Sequence, residues 1–95
     1  MLKIRFSTRF KRDLKRVQKQ EASGYDEVVF KSVVQNLQSG IPLDKKFEDH
    51  PLQEKYAGAR ECHLAPDLLL VYEVNNDVLE LLLLRIGSHS NLFRR

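Results

Sequence analysis

The sequence predicts an α+β domain: one strand, two helices, then a meander of three strands, with the helices on one face of a mostly antiparallel sheet. Apolar residues recur at spacings of three and four in the first half of the chain. They alternate or run on in the second half, and a Pro- and Gly-punctuated stretch divides the two regimes. At 95 residues the chain is expected to form a single domain, 1–95. A chain this short buries only about 60–65% of its unfolded surface, so the core is modest.

The elements follow in order. Leu2-Lys3-Ile4-Arg5-Phe6 alternates apolar and basic residues, as a strand with one covered face does. Ser7 or Thr8 can cap the helix that follows. Phe10, Leu14 and Val17 fall on one side of it at about 100° per residue, while Lys11, Arg12, Lys15, Arg16 and Lys19 cover the other. After a short link, Glu21–Gly24, the pattern Ser23-Gly24-Tyr25-Asp26 offers a capping box for a second helix with the apolar stripe Val29, Phe30, Val33 and Leu37. Gly40 and Pro42 stop it. Between Ile41 and Ala59 periodicity fails, and Asp44–Tyr56 reads as a long polar loop of the kind that often carries function. Three strands follow: Arg60–Ala65, Leu68–Val74 and Val78–Ile86. Pro66-Asp67 and Asn75-Asn76-Asp77 make the turns, and a short tail, Ser88–Arg95, ends the chain.

Composition narrows the class. Hydrophobic residues make up 42% and charged residues 31%, enough for a compact and soluble fold. The single cysteine, Cys62, excludes an intramolecular disulfide framework and an all-cysteine metal site. The N-terminus offers no uninterrupted apolar stretch, and no run reaches the ~18 apolar residues of a membrane span. A cytoplasmic protein without a membrane partner is the expectation. Net charge is only +3, but residues 1–20 hold Lys3, Arg5, Arg9, Lys11, Arg12, Lys15, Arg16 and Lys19 against one acid, Asp13. A solvated helix face explains such a block as well as a polyanion or an acidic protein partner does.

The chemistry rests on His50, His63, His89 and Asp67. Taken singly, each is ordinary: a surface loop histidine, a strand histidine, a histidine after a strand, a turn aspartate. The meander is expected to gather them on one rim of the sheet. Together they offer what RNA cleavage without a metal or other cofactor requires. A 2′-hydroxyl must lose a proton to attack phosphorus, and the leaving 5′-oxygen must gain one. Imidazole, with an ordinary pKa near ~6.5, can do both. A carboxylate orients it, and an arginine meets the charge growing on the phosphate. Arg85 is the candidate cation, although an ordinary strand-end charge fits it equally. Phe93 is either a packed anchor or a surface on which a base stacks. Spacings of 13 residues from His50 to His63 and 26 from His63 to His89 match no zinc motif.

Three ordered segments are more specific than this physics. Asp49-His50-Pro51-Leu52, then Arg60-Glu61-Cys62-His63-Leu64-Ala65-Pro66-Asp67, then Gly87-Ser88-His89-Ser90-Asn91-Leu92-Phe93 closely resemble the YafQ-like toxins of the RelE superfamily. The resemblance covers residues 44–93 and implies a RelE-like fold. It also implies the toxin of a type II toxin–antitoxin system, an mRNA endonuclease acting in the ribosomal decoding site. By motif position it makes His50, His63, Asp67, His89 and Phe93 the functional residues. His50 and His63, with Asp67, serve as base and positioning groups, and His89 is the general acid. It implies a cognate antitoxin in a hetero-oligomeric complex. The charge distribution, apart from the resemblance, makes Arg85, Lys11, Arg12, Lys15, Arg16 and Lys19 the candidate RNA contacts. Two positions depart from the pattern. Glu61 replaces an aspartate, and Leu68 stands where an aromatic often follows Asp67, a change that would alter base stacking. The rival readings are a toxin of the same fold acting on DNA gyrase, as the ParE branch does, and a non-catalytic RNA-binding module. The gyrase branch needs no histidine cluster.

Overall fold

The computed structural model describes residues 1–93. In chain order they form β1 (Lys3–Phe6), α1 (Thr8–Lys19), α2 (Glu27–Gln38), β2 (His50–Pro51), β3 (Arg60–Ala65), β4 (Leu68–Asn75), β5 (Glu80–Gly87) and α3 (His89–Phe93). The five strands make one mixed sheet in the order β1-β5-β4-β3-β2. β2 through β5 pair antiparallel, and β1 lies parallel to β5 with Ile4 opposite Leu81.

The α+β layout with both long helices on one face agrees with the sequence reading, and local chemistry explains it. Ser7 caps α1 by accepting from the Phe10 N–H at 2.9 Å, and its hydroxyl donates to the Leu84 carbonyl at 2.8 Å. One residue thus both starts the helix and pins it to β5. The α2 cap is Asp26, which accepts from Val28 and Val29. Ser23, expected in a capping box, instead donates to the Val17 carbonyl at the end of α1. Gly24 has φ +82°, and a Cβ there would lie 2.8 Å from the Ala65 Cβ, so the link between the helices admits only glycine without movement of the β3–β4 turn.

The main core lies between the helices and the sheet: Phe10, Val17, Val33 and Leu37 meet Cys62, Leu70, Tyr72, Leu83 and Ile86. β4 is covered on both faces, with Leu68 through Tyr72 at most 1% exposed. Its alternate residues Leu69 and Val71 belong to a smaller cluster on the opposite face, with Ala59 and Leu92. Leu92 is what holds α3 in place. A five-residue helix is not stable alone, and burying one leucine is worth about 1.5–3 kcal/mol.

Two stretches differ from expectation. The supposed loop 44–56 contains single-turn 3₁₀ helices at Lys45–Phe47 and Glu54–Tyr56 and the edge strand β2 between them. The tail after β5 is helical through Phe93. Leu68 is also corrected: it is 1% exposed in the helix-side core, so it cannot touch a bound base. Among the described residues no helix is long and apolar enough to cross a membrane.

Candidate active site

The sheet face turned away from α1 and α2 collects the candidate residues, and register explains how. Cys62 faces the helix-side core, so its neighbours Glu61 and His63 face the other way. His50 stands opposite Glu61, Glu61 opposite Val71, and Val71 opposite Arg85, in one row. In the next row His63 stands opposite Leu69 and Leu69 opposite Gly87. His89 opens α3 two residues beyond Gly87, and Asp67 sits in the β3–β4 turn beside it. Gly87 lets α3 approach: a Cβ there would lie 3.2 Å from Leu92 and 3.4 Å from Arg16.

Each imidazole has a carboxylate. His50 Nε2 lies 2.8 Å from Glu61 Oε2, and its Nδ1 lies 3.1 Å from the Pro51 carbonyl. His63 Nδ1 lies 3.6 Å from Glu48 Oε2. His89 Nδ1 lies 2.9 Å from Asp67 Oδ1, which also accepts the His89 backbone N–H at 3.1 Å. The His63 and His89 rings are 5.8 Å apart and steeply inclined to one another. Phe93 lies 6.3 Å from His89, and Tyr56 meets Phe93 edge-on at 5.7 Å. The backbone N–H of His89, then its ring, hold the Asp67 carboxyl below its ordinary range, and the charges of His89 and His63 add to this. Burial, helped by Asp49 and Glu61, pushes the Cys62 thiol up to about 12, so Cys62 is no nucleophile.

The structure brings His50, His63, Asp67, His89 and Phe93 together. It changes one pairing, because Asp67 holds His89 rather than serving His63. Arg85 is a correction of a different kind. It is 8% exposed, and its Nε and Nη2 bond Asp13 at 2.6 and 3.0 Å. Asp13 also accepts from Ile86 N–H and from Arg16. The guanidinium expected to meet a phosphate is neutralised inside the fold. Arg16 is half-buried in the same cluster, whereas Lys11, Arg12, Lys15 and Lys19 are exposed on α1, outside the imidazole cluster.

Sequence reasoning missed Glu61 as a site residue. It is 4% exposed, one oxygen bonds His50, and the other, Oε1, is buried without a protein partner. Its position two residues before His63 on an alternating strand was the available signal. Glu48 and Tyr56 were missed because one follows a single-turn helix and the other ends one, with no periodicity to read. Donor atoms of His50, Glu61 and His63 lie within 4.8 Å of one another, a set able to hold a cation. Tetrahedral ligands at bonds of about 2.0–2.1 Å stand about 3.4 Å apart, so the His50–Glu61 pair, at 2.8 Å, would have to open to take one. A cavity of about 550 Å³ opens beside His63, walled by Lys46, Phe47, Glu48, Val29 and the strand end Leu64–Pro66. A second, about 600 Å³, lies across the turn and is bordered by Asp67, Ser88, Asn91 and Gln20.

Residues 2–94 match the family described as "Bacterial toxin of type II toxin-antitoxin system, YafQ". Among curated relatives, the mRNA interferase toxin YafQ of Escherichia coli (strain K12) is 30% identical over 90 residues, covering 95% of this chain and 94% of that protein. Among solved structures, a metal-bound toxin from Helicobacter pylori is 45% identical with a TM-score of 0.89, covering 98% of this chain and 100% of that one. The E. coli DinJ-YafQ complex is 32% identical with a TM-score of 0.84, covering 98% and 99%.

Proposed function

The chain belongs to the YafQ family of bacterial type II toxins, and from that premise we propose that it is an mRNA endoribonuclease that arrests translation by acid–base cleavage on the ribosome. The observation that carries the proposal is the meeting of three imidazoles, each with a carboxylate, drawn from the segment 48–50, β3, the β3–β4 turn and α3, on one rim of the sheet.

In this mechanism His89 is the general acid. Asp67 occupies its Nδ1 and fixes the ring, leaving Nε2 to deliver a proton to the departing 5′-oxygen. His63 is the base that takes the 2′-hydroxyl proton. Each transfer needs a heavy-atom separation of about 2.6–3.2 Å, and rings whose centres stand 5.8 Å apart, edge to face, can both reach one phosphodiester laid across the pair from the rim. The His50–Glu61 pair lines the far side and positions the nucleotide. Among the described residues Arg85 and Arg16 are committed to Asp13 and Arg60 to Asp49, and a cation at hand is Lys46, on the wall of the cavity that His63 also lines. Phe93, braced by Tyr56, presents a ring against which a base can stack at about 1–3 kcal/mol. The acid–base groups suffice without a metal.

The exposed lysines and Arg12 on α1 would meet the RNA backbone of the ribosome, with affinity that falls as salt rises. By analogy with the DinJ-YafQ complex, the partner that silences the toxin is a cognate antitoxin, and the cationic helix face suits an acidic segment of it.

Primer extension on mRNA from cells expressing the wild type and His89→Gln tests the proposal. In-frame cuts that fall at least ~10²-fold in the variant are expected. Protein treated with chelator and desalted before ribosomes are added should cut at the untreated rate. Equal cutting by His89→Gln, or activity lost with the chelator and regained with a metal, would overturn the mechanism.

A further inference from the structure

The ring of His50 stands on weak support. β2 has only two residues, lies at the edge of the sheet, and includes Pro51, which has no N–H to give. The His50 side chain is 49% exposed. What fixes it lies on the other side of the sheet. Successive residues of an extended segment point to opposite faces. His50 turns towards Glu61, and Asp49, one residue earlier, turns towards Tyr72 and Arg60, which are cross-strand partners on β4 and β3. The Tyr72 hydroxyl donates to Asp49 Oδ1 at 2.5 Å, and Arg60 Nε and Nη2 reach Oδ1 and Oδ2 at 3.3 Å each.

Tyr72 is 1% exposed, so its hydroxyl has no water to turn to and is satisfied by Asp49. A hydrogen bond to a carboxylate is among the stronger ones available. Making it requires residue 49 to sit over Tyr72, and that sets the backbone from which His50 projects. Burial and then the Asp49 carboxylate push the Tyr72 pKa up, so the phenol remains a donor. None of the three groups takes part in the proton transfers proposed above.

We infer that Tyr72, acting through Asp49, is a positioning residue for His50: a buried phenol on the helix side of the sheet aims an imidazole on the catalytic side. The inference rests on the reading of His50 as part of the active site.

The test is Tyr72→Phe, which keeps the ring in the core and removes one oxygen. Single-turnover cleavage on mRNA-programmed ribosomes is expected to slow about tenfold, with the half-saturating toxin concentration unchanged. The decisive readout is the double variant. In a His50→Gln background, Tyr72→Phe should cost nothing further, because the group it aims is gone. A general loss of structure would slow both backgrounds alike. The His50 ring resonances should move in Tyr72→Phe while those of His89 stay. Asp49→Asn, which keeps an acceptor for the phenol, should retain more activity than Asp49→Ala. Wild-type cleavage by Tyr72→Phe, or an equal loss in both backgrounds, overturns the inference. If His50→Gln itself cuts at the wild-type rate, the reading of His50 as a site residue fails instead. The movement of the His50 resonances in Tyr72→Phe then decides whether the anchor holds.

Discussion

His89 is held at two points by one carboxylate, through its ring and through its own backbone N–H. That double hold gives Asp67 a definite task, and Asp67→Asn isolates it. Asparagine can still accept the backbone N–H but no longer faces a protonated ring with a charge. Cleavage on ribosomes is expected to fall about tenfold, less than the ~10²-fold of His89→Gln, because the acid is misplaced rather than removed. The pH dependence follows from the direction of the Asp67 shift. Its folded pKa lies below the ordinary 3.8, so whatever stability the contact lends is present above that value and is lost only as pH falls through the lower one. Over the range where imidazoles titrate Asp67 stays ionised, and a pH–rate profile should show its acidic limb with or without this carboxylate. The same scale shows why Glu61 escaped notice in the sequence. An acid in a strand reads as a surface exception until the register is known, and here the register puts it opposite His50.

At the level of elements, a buried ion pair joins α1 to β5. Asp13 and Arg85 are 2% and 8% exposed, and they are separated by 72 residues in the chain. Burial alone would raise the Asp13 pKa, but the hydrogen bonds from Arg85 and Ile86 N–H and the Arg85 charge outweigh it and leave the group lowered. Asp13→Ala strands a buried guanidinium and is expected to cost about 3–5 kcal/mol. A domain of this size has about 5–14 kcal/mol in all, so the urea midpoint should drop sharply. Asp13→Ala with Arg85→Met should recover part of the loss, since no charge is then left unpaired. The contribution of Asp13 is present at neutral pH and disappears as pH falls below the ordinary 3.8 and through the lower folded value, so wild type and Asp13→Ala should converge in stability there. The pair was invisible in the sequence. Asp13 is one acid among eight bases, and Arg85 is a charge at a strand end, and only the fold makes them neighbours. The elements were more legible: Ser7, the stripe of α1 and β3 lay where periodicity and capping put them. The edge strand β2 was not, because two residues carry no alternation and one of them is proline.

On the scale of the whole molecule, the meander brings distant histidines to one rim, but it does so with help the sequence hid. β1 leaves the meander to pair in parallel with β5 at one edge, β2 closes the other, and the five residues of α3 fold back over the second face through Leu92. Strand order gave reason to expect His63 and His89 on one rim, but not His50, whose edge strand β2 read as loop. Which carboxylate serves which ring was not readable, because that depends on side-chain reach across a bulged sheet. In the proposed mechanism His63 and His89 act as one unit on one phosphodiester. The most direct test is single-turnover cleavage on ribosomes by His63→Gln, His89→Gln and the double variant. Groups that work as a unit lose nearly everything when either is removed. The expected result is a double variant no slower than the worse single one, each down by at least ~10²-fold. Losses that multiply, or a single variant with full activity, would show that the two imidazoles do not share a reaction.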